Sequence, residues 1–99
     1  MIKLEGTIKQ VFETKTYGSG FEKRIFWLDD NHPKFRNIFA LELWKKDCEM
    51  IDSYKVGDQV TAYIDIKGIY WQEDGKGEMV KNTLKCWNLE KDGKTFKPL

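Results

Sequence analysis

Between Val60 and Lys67 the chain alternates without a break: Val60, Ala62, Ile64 and Ile66 point one way, and Thr61, Tyr63, Asp65 and Lys67 the other. A period of two over this length is the signature of a strand with one buried face. The turn Val56-Gly57-Asp58 opens the strand, which runs on to Tyr70 and Trp71. Glu73-Asp74-Gly75-Lys76-Gly77 then reads as a hairpin loop, and a partner strand follows from about Glu78 to Leu89, carrying Leu84 and Cys86 inward. Gly68 interrupts the alternation, which predicts a bulge or a sharp bend there.

The first half supplies three more strands. Ile2, Leu4, Ile8 and Phe12 are spaced through one long half-buried strand from Ile2 to Thr16, with Gly6 as a candidate bulge. Tyr17-Gly18-Ser19-Gly20 turns the chain into a second strand, Phe21 to Leu28. Phe26 and Leu28 share one of its faces and Phe21, Lys23, Ile25 and Trp27 the other, with Arg24 beside them. After a loop at Asp29-Asp30-Asn31-His32-Pro33, the third strand runs from Arg36 or Asn37 to Trp44. Phe39, Leu41 and Leu43 fall on one face; Ile38, Ala40, Glu42 and Trp44 fall on the other, which Glu42 marks as wetter, leaving Trp44 partly exposed. Lys45 to Tyr54 is the one helical stretch, with Cys48, Ile51 and Tyr54 three apart. Asp92-Gly93 makes a last turn, so a domain over 1–92 is followed by a short basic tail, 93–99, with no packing face of its own.

Ninety-nine residues make one small domain, and 40% hydrophobic with 33% charged residues is ordinary globular usage, with no sign of disorder. Fourteen residues are Phe, Trp or Tyr, more than so small a core needs, which places some at the surface. No apolar run approaches the ~20 residues of a membrane helix, and, with the strand pattern starting at Ile2, no leader segment is expected. With two unpaired-looking cysteines, Cys48 and Cys86, the expected setting is a reducing cytoplasm. His32 is the only histidine and no Cys-x-x-Cys occurs, so no metal or cofactor is expected. The chain also lacks a nucleophile with a base and a phosphate-cradling loop, so it is not expected to be an enzyme.

Three strands, a helix and a two-strand hairpin are best satisfied by closing into a barrel, which removes sheet edges. The expected fold is all-β: a five-stranded OB-fold Greek-key barrel with one short α-helix between the third and fourth strands. Trp44-Lys45-Lys46, the helix to Tyr54, Lys55-Val56-Gly57-Asp58-Gln59-Val60, the strand ending at Trp71, the Gly75 turn and Leu84-Lys85-Cys86-Trp87-Asn88-Leu89 resemble the OB-fold single-stranded DNA-binding proteins of bacteria and phages. They resemble more loosely a group of small uncharacterised OB-fold proteins of Bacteroidetes-type bacteria. The chain lacks the acidic C-terminal run of the bacterial members, ending Lys94-Thr95-Phe96-Lys97-Pro98-Leu99.

The resemblance implies base stacking on Trp44 and Trp71, with Tyr70 adjacent and Tyr54 a weaker match. The barrel face that oligonucleotides cross adds Trp27, and the long arm adds Tyr63. Lys23, Arg24, Lys67, Lys81 and Lys85 are the expected phosphate contacts, while Trp87 belongs to the packing. The expected partner is single-stranded DNA, bound without strong sequence preference in replication, recombination or repair; single-stranded RNA would use the same stacking. Exposed Ile25, Ile38 and Ile69 imply a homo-oligomer, dimer or tetramer, while the lack of a long apolar run leaves no membrane association expected. The net charge of only +1 favours an alternative, a protein-interaction module or accessory subunit of a replication complex.

Overall fold

The computed structural model describes residues 2–91, 94 and 95. Among these, seven strands and one 3₁₀ helix follow in order: β1 (Ile2–Val11), β2 (Lys15–Thr16), β3 (Glu22–Asp29), β4 (Ile38–Trp44), the helix (Lys45–Ser53), β5 (Gln59–Glu73), β6 (Gly77–Lys91) and β7 (Lys94–Thr95). β1 pairs antiparallel with β5 on one side and β3 on the other. β3 pairs with β4, β4 meets β6 in parallel at Glu42 and Lys85, and β6 pairs with β5 along its whole length. The circuit β1-β3-β4-β6-β5 therefore returns to β1 and closes a five-strand barrel.

Alternation fills the barrel as expected. Phe26 and Leu28 of β3, Leu41 and Leu43 of β4 and Ala62 and Ile64 of β5 are buried, joined by Ile8, Cys86 and Leu89. Each large apolar side chain removed from water contributes about 1.5–3 kcal/mol, so this cluster carries the domain. Cys48 and Ile51 of the helix and Tyr54 just after it plug one side. The helix stands where expected but winds as 3₁₀, whose three-residue turn stacks positions i and i+3, the spacing of those three residues.

Both glycine bulge assignments are corrected. At Gly6 a Cβ would lie 2.1 Å from the Asp29 carbonyl oxygen, so the absent side chain permits a close approach of β1 to the end of β3. The bulge in β1 lies instead between Ile8 and Gln10; it turns Val11 inward onto Phe26 and leaves Phe12 beside Trp27. Gly68 pairs with Asn82 without any change of register. The shift in the long hairpin lies between Tyr63 and Ile64, where Trp87 is the extra residue on β6. The first strand also ends earlier than expected, at Val11, and Lys15–Thr16 forms a separate short pairing with β3. Lys94 and Thr95 of the basic tail pair with β6, while the turn at Asp92-Gly93 and residues 96–99 lie outside the described residues.

Past Asp65 and Lys85 the β5–β6 hairpin leaves the barrel as a two-stranded arm. Ile66, Tyr70 and Val80 continue the inward-facing row of the barrel, but no other strand pairs with the arm to cover them, and they are 60, 59 and 69% exposed.

Candidate nucleic-acid interface

Residues facing each other across paired strands share a side of the sheet, so the register defines a single outer face. β3 contributes Lys23, Ile25 and Trp27, opposite Trp44, Glu42 and Ala40 of β4. Glu42 stands beside Lys85 of β6. From Lys85 the same side continues along the arm through Lys81 and Met79 of β6 and Lys67, Ile69 and Trp71 of β5. Trp27, Trp44 and Trp71 thus lie on one continuous surface interleaved with Lys23, Lys85, Lys67 and Lys81.

The β1–β3 connection folds over one end of this surface and makes a cleft of about 320 Å³. Phe12 meets Trp27 edge to face, with ring centres 5.1 Å apart, and Lys23 Nζ lies 5.2 Å from the centre of the Tyr17 ring. Ile25 and Ala40 form the floor of this mostly apolar cleft, and Glu13 and Lys15 also line it. Sequence reasoning missed Phe12 and Tyr17. The bulge that moves Phe12 outward has no glycine to announce it, and Tyr17 belonged to a turn by composition.

Trp44 is fixed from three sides. Its Nε1 donates to Glu42 Oε1 at 2.9 Å, Phe21 approaches edge-on at 5.5 Å, and Lys85 Nζ lies 5.0 Å from the indole centre. Glu42 also pairs with Lys23 at 3.5 Å and is only 9% exposed. It is not the mark of a wet surface that its charge suggested, but a carboxylate covered by the groups it orients. Beside Trp44, in the crotch between barrel and arm, a second cleft of about 450 Å³ is lined by Trp44, Lys45, Lys46, Asp47, Lys67 and Lys85. Lys45 and Lys46 were not among the expected contacts, although two cations directly after a surface tryptophan were a legible signal.

Three expected site residues stand elsewhere. Tyr70 is exposed but occupies the opposite side of the arm, where its hydroxyl donates to Glu78 at 3.0 Å. Tyr63 faces outward on the far side of the barrel, where its ring packs against Trp87, Lys3 approaches it and its hydroxyl donates to Glu90. It is buried, and the bond to Glu90 raises its pKa by holding the protonated form. Arg24 points inward, by alternation with Lys23, and its guanidinium donates to the carbonyls of Phe12 and Cys48 and to Asp52. Its donors tie β3 to the end of β1 and to the helix, so it is a structural cation. Tyr54 is likewise internal: its hydroxyl donates to the Leu89 carbonyl, and burial pushes its pKa up to about 12.

The loop between β3 and β4 is held by its own hydrogen bonds and by one from Asn31 to Thr7 of β1. Asp30 accepts from the backbone N–H groups of Asn37 and His32 and from the Asn37 side chain, and Asp29 takes the Arg36 guanidinium. These bonds hold both carboxyls below the usual carboxylate range, chiefly through Arg36 for Asp29 and the Asn37 N–H for Asp30. His32 Nδ1 accepts from the backbone of Lys34 and Phe35, so this histidine shapes the loop.

A closed barrel in the order β1-β3-β4-β6-β5, with a helix between β4 and β5 and a hairpin arm beyond it, is an OB fold. The chain belongs to the DUF3127 family, a domain of unknown function, which matches residues 3–90. No curated protein matches it. Among solved structures it is similar to Rim1, the mitochondrial single-stranded DNA binding protein of S. cerevisiae. The TM-score is 0.65 at 12% sequence identity, with 94% of each chain covered. At that identity the similarity establishes the fold.

Proposed function

We propose that the protein binds single-stranded DNA along the outer face of the barrel and arm, without strong sequence preference. The observation that carries this reading is the alignment of Trp27, Trp44 and Trp71 on one side of the sheet with lysines between them. Aromatic faces take any base at about 1–3 kcal/mol each, and lysines follow the phosphates. Lys23, Lys67, Lys81 and Lys85 fill the second role. The structural likeness to a protein named for single-stranded DNA binding supports the same reading. Bound in this way, the protein would protect single strands in replication, recombination or repair, and exposed Ile38 and Ile69 offer contacts for a homo-oligomer.

A second reading, docking of another protein, is favoured by the other side of the arm. Ile66, Tyr70 and Val80 are exposed there, and the paired positions from Ile66 to Gln72 and from Glu78 to Leu84 on that side include no Lys or Arg. A cation-free apolar strip suits a protein surface better than a polyanion. The two readings separate in one experiment: tryptophan fluorescence titrated with oligo-dT, oligo-U and duplex DNA at two salt concentrations. Single-strand binding gives quenching that weakens with salt. An unchanged signal up to on the order of tens of micromolar oligonucleotide would leave only the protein-docking reading.

A further inference from the structure

The cleft between barrel and arm concentrates the positive charge of the outer face. Lys45, Lys46, Lys67 and Lys85 line it together, and none of the four is ion-paired among the described residues. The nearby carboxylates are Asp47, in the same lining, Asp65, across the strand from Lys85, and Glu42, which stands beside Lys85, accepts from the Trp44 indole and is paired with Lys23. Elsewhere on the face the cations are sparser or already engaged: Lys23 is held by Glu42, and Lys81 stands by itself along the arm.

Local structure brings this cluster together. Trp44 is extended, and Lys45 then turns left-handed at φ 55°, a conformation that side-chain-bearing residues seldom adopt. The turn sets Lys45 and Lys46 at the head of the 3₁₀ helix, whose first N–H groups have no side-chain cap. Lys67 and Lys85 reach the cleft from the two strands of the hairpin.

A phosphodiester chain presents one negative charge per link, spread along the strand, and cations spaced along a track are enough to follow it. Four unpaired ammonium groups around one cleft fit a denser charge. A phosphate monoester carries about −1.5 to −2 near neutral pH and three strong acceptor oxygens. We infer that this cleft receives the terminal phosphate of a single strand, with the terminal base against Trp44. The inference rests on single-strand binding by the outer face and adds to it a fixed end, so that the protein distinguishes a phosphorylated strand terminus from the interior of a strand.

The test uses three oligo-dT strands of one length, bearing a 5′-phosphate, a 3′-phosphate or hydroxyls at both ends, titrated against the full chain at one salt concentration. One phosphorylated strand should bind about tenfold tighter than the hydroxyl-ended strand, equivalent to ~1.4 kcal/mol. That advantage should shrink as pH falls from about 8 to about 5.5, through the second phosphate ionisation near 6. The double variant Lys45→Ala, Lys46→Ala, with its fold verified by circular dichroism, should lose most of the advantage. Equal binding of all three strands would overturn the inference and leave single-strand binding standing, whereas failure of all three to bind would overturn both. A preference unchanged in the double variant would overturn the assignment to this cleft.

Discussion

In the barrel half of β5, Val60, Ala62 and Ile64 are buried by strands on both sides; in the arm half of the same strand, Ile66, Ile69, Tyr70 and Trp71 are exposed. The same contrast runs along β6, from buried Cys86 and Leu89 to exposed Val80. Barrel side chains are held where they are by what they contribute to stability. Apolar side chains on the arm gain little from folding, because no layer covers them, so a contact with another molecule is the better reason for their presence. The two halves should therefore respond oppositely to mutation, the barrel in stability and the arm in binding.

The largest effect is expected at the centre of the barrel. Phe26→Ala should cost about 3–5 kcal/mol, enough to unfold much of so small a domain, as chemical denaturation would record. Next comes Gly6→Ala, whose methyl would meet the Asp29 carbonyl at 2.1 Å; forcing the strands apart should cost about 1–3 kcal/mol, and an unchanged melting temperature would show that β1 can shift freely. On the arm, Trp71→Ala should leave stability within about 0.5 kcal/mol while weakening oligo-dT binding by about 1–3 kcal/mol. A loss of melting temperature with unchanged binding would reverse the comparison.

A smaller effect concerns acid. Asp29, Asp30 and Asp58 are held below the usual carboxylate range, chiefly by the Arg36 side chain, the Asn37 N–H and the Lys55 N–H respectively. A folded-state pKa below the unfolded value contributes stability above about pH 4, which is lost as pH falls through the lower folded value. Melting temperature should therefore drop below about pH 4, and Asp30→Asn should be less stable at neutral pH and show a shallower acid decline. All three carboxylates belong to the barrel and its loops, so truncating the arm chemistry with Trp71→Ala should leave this pH profile unaltered.

The barrel was more legible than the site. Alternation placed Phe26, Leu41 and Ile64 inside because a strand with one dry face leaves an unmistakable period, and it put Trp27 and Trp44 on the outer face by the same rule. What failed were features that alternation does not encode. The β1 bulge falls in Ile8-Lys9-Gln10, where no residue type marks it, and so Phe12 was assigned to the wrong side. Gly6 was read as a backbone bend when its purpose is clearance. Tyr63 and Lys67 occupy equivalent alternating positions, yet Trp87 and Glu90 cover the first and the second borders an open cleft. Arg24 is grouped by its charge with the outer residues of its strand, although it shares the alternation of Phe26 and Leu28, and its three hydrogen-bonded partners override the expected surface role.

The central claim is that three of the four tryptophans share one binding face. Each tryptophan gives one indole N–H resonance in a ¹⁵N–¹H correlation spectrum, so titration with oligo-dT reads all four at once. The resonances of Trp27, Trp44 and Trp71 should shift together while Trp87, packed against Tyr63 on another part of the barrel, stays in place. Movement of Trp87 alone, or of none of the four at saturating oligonucleotide, would contradict the account.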